Sequence, residues 1–132
     1  MIKDRELCFI YEGSVTASTG GVQGSAIDLG PGGFRGRDSY VFIESLADTT
    51  ATGSPTISFT LEFSDDAAFA SPAAVPLSTP VLGKGDLAKG KVVLARAPLH
   101  GGRFVRLKMT ASAAITCSKF TAGIILDPQT NS

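Results

Sequence analysis

Hydrophobic residues along this chain fall on alternate positions, most regularly at 56–64, Thr-Ile-Ser-Phe-Thr-Leu-Glu-Phe-Ser. Ile57, Phe59, Leu61 and Phe63 take every second place, with Ser, Thr and Glu between them. A period of two carried by β-branched and aromatic residues predicts a strand with one dry face and one wet face. Burying each of those side chains contributes roughly 1.5–3 kcal/mol, so this strand is expected to anchor the core. Strands are also expected at 7–11, 26–29, 40–46, 75–82, 91–96, 104–109 and 115–126.

Turn signals separate these runs: Gly20-Gly21, Gly30-Pro31-Gly32-Gly33, Gly53-Ser54-Pro55, Gly83-Lys84-Gly85 and His100-Gly101-Gly102. No segment sustains a 3.6-residue apolar period, so no long helix is expected. One helical turn is expected at Ser64-Asp65-Asp66-Ala67-Ala68-Phe69, with Ser64 or Asp65 as its N-cap. About eight short antiparallel strands with regular turns predict an all-β fold of two packed sheets, a jelly roll or another sandwich. The chain has 132 residues, which fits one domain over 1–132, with a short flexible tail at 128–132.

Composition narrows the function classes. An apolar share of 43% is too high for a disordered tail. Twelve basic and twelve acidic residues cancel, and the basic ones are scattered. Binding nucleic acid non-specifically draws on neutralised phosphates, so no nucleic-acid partner is expected. Zero net charge also removes long-range repulsion between copies, which suits assembly. Phe34, Phe42, Val81 and Ile125 fall outside the simplest inward register. Self-association through such residues is therefore expected, as a dimer ahead of a trimer. The apolar run at 7–11 stops at Glu12, too short for a secretory or membrane-spanning segment, so no membrane partner is expected.

Reactive groups are sparse. Cys8 and Cys117 lack CxxC spacing, which removes the zinc-site and thioredoxin readings. They are read as buried free thiols of a protein made in a reducing cytoplasm, with a disulfide joining the first and last strands as the alternative. His100 is the only histidine and sits in a glycine turn, where a solvated loop residue is expected rather than a catalytic base. One histidine also falls short of a cupin-type metal site, and Asp65-Asp66 lacks the spacing of a calcium loop. Glu44 and Glu62 lie on expected strands and could face each other as a glycosidase pair does, but exposed strand glutamates are common. Gly85-Asp86-Leu87-Ala88-Lys89-Gly90-Lys91 has P-loop spacing, yet Val92 follows where Ser or Thr is needed, and a strand follows where a helix is needed. No catalytic, cofactor-binding or metal residues are assigned, no cofactor is expected, and the chain is read as non-enzymatic.

Four stretches carry a resemblance: Ala26-Ile27-Asp28-Leu29-Gly30, the run from Phe59 through Ser64-Asp65-Asp66-Ala67-Ala68-Phe69-Ala70-Ser71-Pro72, Arg103-Phe104-Val105-Arg106-Leu107-Lys108-Met109, and Phe120-Thr121-Ala122-Gly123-Ile124-Ile125-Leu126-Asp127. Together, in order over nearly the whole chain, they resemble the capsid cement (decoration) protein family of Bordetella-type tailed phages. The opening Met1-Ile2-x-Asp4 with Leu7 and Phe9 fits as well. Glu12-Gly13-Ser14-Val15-Thr16 departs from the pattern, where a Gln-Ala segment is expected. The resemblance implies a jelly roll on the outside of an icosahedral head that bridges neighbouring major capsid protein subunits. It implies no enzymatic activity and transfers no site residues. The rival reading is a carbohydrate- or receptor-binding module of a head fibre or tail. The absence of Trp and the presence of only Tyr11 and Tyr40 weaken it.

Overall fold

A computed structural model describes residues 7–30, 33, 39–77, 79, 81–98 and 100–126. The expected tail at 128–132 and Phe34 lie outside these residues. Two antiparallel sheets face each other. In the first, β1 (Cys8–Ala17), β11 (Ile115–Leu126), β4 (Ser39–Ser45) and β9 (Val92–Arg96) lie side by side, and the short β5 (Thr49–Ala51) also pairs with β11. In the second, β2 (Val22–Gln23), β10 (Phe104–Ala111), β6 (Thr56–Ser64) and β7 (Ala73–Pro76) follow one another. There β3 (Ile27–Asp28) also lies on β10, and β8 (Leu82–Gly83) also lies on β6.

The topology is a jelly roll once the interrupted strands are joined. β2 and β3 run along one β10, meeting it at Met109 and Lys108 and then at Val105 and Phe104. Gly24 N–H donates to Leu107 O between them, so they fill one place in the sheet. β7 and β8 share a second place beside β6, with Leu77 N–H donating to Phe59 O where they part. Counted this way, first pairs with eighth (β1 with β11), second with seventh, third with sixth (β4 with β9) and fourth with fifth. That is one long antiparallel hairpin rolled up on itself.

The expected eight strands map in order onto these eight places. β1 extends well past the expected end at residue 11, because bulges let it continue. Its register against β11 shifts three times, and Glu12 takes a left-handed φ of 50°. The expected strand at 75–82 is split in two. The expected helical turn at 64–69 is instead a chain of side-chain-capped bends. Ser64 Oγ accepts from Asp66 N–H, Asp66 Oδ1 accepts from Ala68 N–H, and Phe69 N–H closes the turn onto Asp66 O. The serine caps as foreseen, but the backbone does not continue into a helix.

Between the sheets lies a core to which Ile57, Phe59, Leu61 and Phe63 all belong, none more than 3% exposed. β10 faces them in continuous register, Val105 to Phe63, Leu107 to Leu61, Met109 to Phe59 and Ala111 to Ile57. From the other sheet come Val41 and Ile43 of β4 and five residues of β11. On β11 the inward set is Ile115 and Cys117, then Phe120, Ala122 and Ile124. The parity slips between Cys117 and Phe120, where β11 changes partner from β5 to β4.

Phe42 and Ile125 correct one expectation. They do point away from the sandwich, but they are closed off with Cys8 in a second small cluster on the outer face. Phe42 is 0% exposed. Gly123 makes that closure possible, because a Cβ there would sit 2.7 Å from Leu7 O and 3.1 Å from the Phe42 ring. Of the described residues outside the simplest inward register, only Val81 is open, at 80%.

Phe59→Ala removes a fully buried ring from the central ladder. It is expected to cost about 3–5 kcal/mol in urea unfolding, seen as a lower midpoint with an unchanged slope.

Candidate functional site

Polar groups on and around the second sheet are drawn into three local constructions. Glu62 and Arg106 stand directly opposite each other on β6 and β10, so their side chains share a face. Arg106 Nε donates to Glu62 Oε1 at 2.7 Å, and the Phe69 ring lies 4.3 Å from the guanidinium carbon. Phe69 reaches that place from the bend at 64–69 with a φ of 53°, a left-handed conformation that only a packed side chain holds. The stack leaves Glu62 only 7% exposed. Glu62 therefore sits in a shielded ion pair and not in a carboxylate pair with Glu44, which lies on β4 in the other sheet.

A second pair, Arg103 with Asp28, is a fork in which Nε and Nη2 donate to Oδ1 and Oδ2 at 2.9 and 3.0 Å. That fork, and then the Gly30 N–H, hold the Asp28 carboxyl below its ordinary value, and the carboxylate in turn raises the Arg103 guanidinium. Both side chains are about half exposed, so the pair fixes the loop after β3 more than it stabilises the fold.

His100 forms the third construction and is not the solvated loop residue expected. Its ring stacks on Phe63 with centroids 4.2 Å apart and planes at 16°. Its Nδ1 accepts from Gly102 N–H at 2.9 Å. Gly102 has no room for a side chain, since a Cβ would meet Phe63 Cβ at 2.8 Å. The ring thus closes one end of the core. Beside it lies an open cleft of about 390 Å³ with Ser64, Asp65 and Ser71 on its walls. Asp65 Oδ1 takes the Arg103 N–H there, and Ser64 Oγ caps Asp66. No hydrogen bond among the described residues joins His100 to either serine. No group of three or more His, Cys, Asp or Glu able to hold a metal ion occurs among the described residues.

The P-loop-like run lies between β8 and β9, beginning in a 3-10 turn at Lys84–Leu87. Its last three amides are spent within the fold: Lys89 N–H on Asp48 Oδ1, Gly90 N–H on Ser45 O, and Lys91 N–H on Ala88 O. Leu87 is buried and its carbonyl accepts from Thr49 Oγ1. Those three amides are not open to a phosphate, and the run leads into β9 where a phosphate site needs a helix N-terminus. The spacing match is accidental, as the following strand indicated.

Neither cysteine forms a disulfide, and both are buried. Cys8 pairs with Gly123 and Cys117 with Val15 on the same ladder, which places them roughly 20 Å apart at ~3.3 Å per residue. They also belong to different clusters on opposite faces of the sheet. A disulfide needs Cα atoms within about 7 Å, so the alternative bond between them is ruled out. Burial pushes the Cys117 thiol up, against a hydrogen bond with Thr49 that acts the other way.

Sequence patterning did not reveal the exposed apolar pair on β9. Val92 is 47% exposed and Leu94 53%, both on the outer face. Tyr11 is 45% exposed at a groove of about 630 Å³ between β1 and β2, beside Ser14, Gln23 and Ser25. No helix among the described residues is long and apolar enough to cross a membrane.

These features define a jelly-roll β-sandwich whose described charged groups brace its own loops. The chain belongs to the Bbp16 family, a family of Bordetella phage proteins, whose sequence model matches residues 12–124. That span begins inside β1 and takes in three of the four resembling stretches whole and the fourth through Ile124. It makes this a phage-related protein. No curated protein matches the chain in sequence.

Three outcomes follow. Arg106→Met strands the Glu62 carboxylate and should cost about 3 kcal/mol near neutral pH, most of it recovered in the Arg106→Met, Glu62→Leu double variant. Native protein should react slowly with a thiol reagent, and unfolded unreduced protein should yield both thiols. Because the folded Asp28 value is depressed, its pairing stabilises the fold above the ordinary carboxylate range and is lost as pH falls through the lowered value. A carboxyl-carbon NMR titration should show that midpoint rising toward the ordinary value in Arg103→Gln.

Proposed function

We propose that this chain is a structural capsid cement protein, without enzymatic activity, that binds the outer surface of a tailed-phage head and bridges neighbouring major capsid protein subunits. Membership of a Bordetella phage family carries this reading, since it makes the chain a phage protein and agrees with the resemblance in its motifs. The fold supports it: its loops are braced by the Glu62–Arg106–Phe69 stack, the Asp28–Arg103 fork and the His100 cap. A rigid wedge of this kind can hold a shell by several small contacts, because multivalency multiplies weak ones. Copies of the chain associate as dimers in this reading. One feature favours the carbohydrate-binding alternative, namely exposed Tyr11 beside a groove carrying Gln23 and two serines.

Purified protein should co-sediment with intact heads and saturate at a fixed ratio to the capsid subunit. It should raise the temperature at which heads lose their DNA, and it should leave a glycan array unlabelled. Glycan labelling without head binding overturns the cement reading in favour of the alternative.

A further inference from the structure

The cleft beside His100 carries chemistry that the core does not use. It encloses about 390 Å³ where the bend at 64–69 meets the turn at 100–102. Asp65 stands on its wall with Ser64, Ser71 and His100.

Asp65 is exposed, and its charge is not compensated. The ion pairs among the described residues join Arg103 to Asp28, Arg106 to Glu62 and Lys119 to Glu12. Arg103 gives Asp65 only its backbone N–H, on Oδ1 at 3.3 Å, and commits its guanidinium to Asp28. The segments that carry the cleft are braced. Ser64 Oγ accepts from Asp66 N–H, and Phe69 N–H closes the bend onto Asp66 O. His100 is fixed by its stack on Phe63 and by the Gly102 N–H on its Nδ1. An anion and a flat ring thus border one cavity on held segments, and preorganisation of this kind lowers the cost of capturing a ligand.

Charge and shape select that ligand. An uncompensated carboxylate favours a cation and repels an anionic or phosphorylated group. The ring then discriminates among cations. An ammonium is a compact, strongly hydrated charge, whereas a guanidinium is planar, weakly hydrated, stacks on aromatic faces and meets a carboxylate with parallel donors. The hydroxyl oxygens of Ser64 and Ser71 can accept from its remaining N–H groups. The fold itself holds one arrangement of this kind, since Arg106 donates to Glu62 while lying over the Phe69 ring. The cleft offers the same two elements, carboxylate and ring, to a guanidinium from outside.

We propose that this cleft is a receptor for a guanidinium group, the side chain of an arginine on a shell protein, which packs on the His100 ring and pairs with the Asp65 carboxylate. The shell as its source rests on the cement reading above, while the guanidinium chemistry rests on the cleft alone. A site for one side chain suits a protein held by several small contacts.

The test uses the full chain, isotope-labelled for NMR. Arginine blocked as its N-acetyl methylamide is titrated in, with blocked lysine and blocked citrulline as controls. Blocked arginine should shift the Gly101, Gly102 and Arg103 amides and the Asp65 carboxyl carbon, saturating in the millimolar range. Blocked lysine should act more weakly and blocked citrulline not at all. Asp65→Asn keeps an oxygen for the Arg103 N–H but loses the charge, and should abolish the shifts. Asp66→Asn makes the same charge change just outside the cleft and should preserve them. The amide spectrum of each variant shows that it is folded. With purified heads, Asp65→Asn should weaken sedimentation about tenfold, and Asp66→Asn should not. No shift with blocked arginine, or undiminished shifts in Asp65→Asn, overturns the site. Equal shifts with blocked lysine overturn guanidinium as the group recognised. Head binding weakened alike by both variants traces to long-range charge and overturns the proposal. Head binding undiminished in Asp65→Asn overturns the shell as source and leaves the cement reading standing. Wild type that fails to bind heads overturns the cement reading, and the arginine titration still decides the cleft.

Discussion

Everything else in the molecule hangs on the ladder between β6 and β10. Eight consecutive residue pairs run from Phe104 with Ser64 to Ala111 with Ile57 without a slip. Leu61 and Leu107, side by side on its inner face, are both 0% exposed. A one-residue shift would move every one of these side chains to the other face, so the pairing is all or nothing. The same ladder fixes the outer face, because parity that sends Leu61 and Leu107 inward sends Glu62 and Arg106 outward together. The ion pair is a consequence of the core, and the bend that brings Phe69 over it follows from where β6 ends.

The other sheet is less regular, and its irregularities have a common cause. β11 serves three strands, β1 on one flank and β5 then β4 on the other. A strand that changes partner must adjust its pleat, and the inward set slips from Cys117 to Phe120 where the change occurs. β1, which follows β11 along most of its length, matches these adjustments with its own register shifts. Leu46 N–H donates to Lys119 O at this point, so the junction is bonded even though it is not pleated.

Eight strand places were legible because one buried face imposes period two on the sequence, as Ile57 to Phe63 illustrate. The pieces that escaped do not carry that pattern. β2 and β5 are two and three residues long, too short for any period to register. The far half of β1 alternates around Glu12 and Gly13, where a bulge interrupts the phase. Phe42 and Ile125 fell outside the inward register because a second, outer cluster with Cys8 brings together three residues far apart in the chain. Shorter separations, still far beyond any local pattern, hid the partners of Glu62, His100 and Asp28. For the site, the sequence disclosed which chemistries lacked their residues. It could not disclose that Val92 and Leu94 of β9 stand half exposed on the outer face, because the same residues would fit a buried strand equally well.

The nearness of the first and last strands has a mechanical consequence. Cys8 lies beside Gly123, and Ser39 lies beside Leu126, so the start of β1 and the end of β11 share one pole of the sandwich. Antiparallel hydrogen bonds stand perpendicular to the strands. Tension applied at that pole would load the β1–β11 bonds along their own axes, one after another, and peel the strands apart like a zip. Tension applied from opposite poles, along the strands, would load many bonds at once in shear. A fold wired in this way resists stretching between its two poles far better than peeling at one of them.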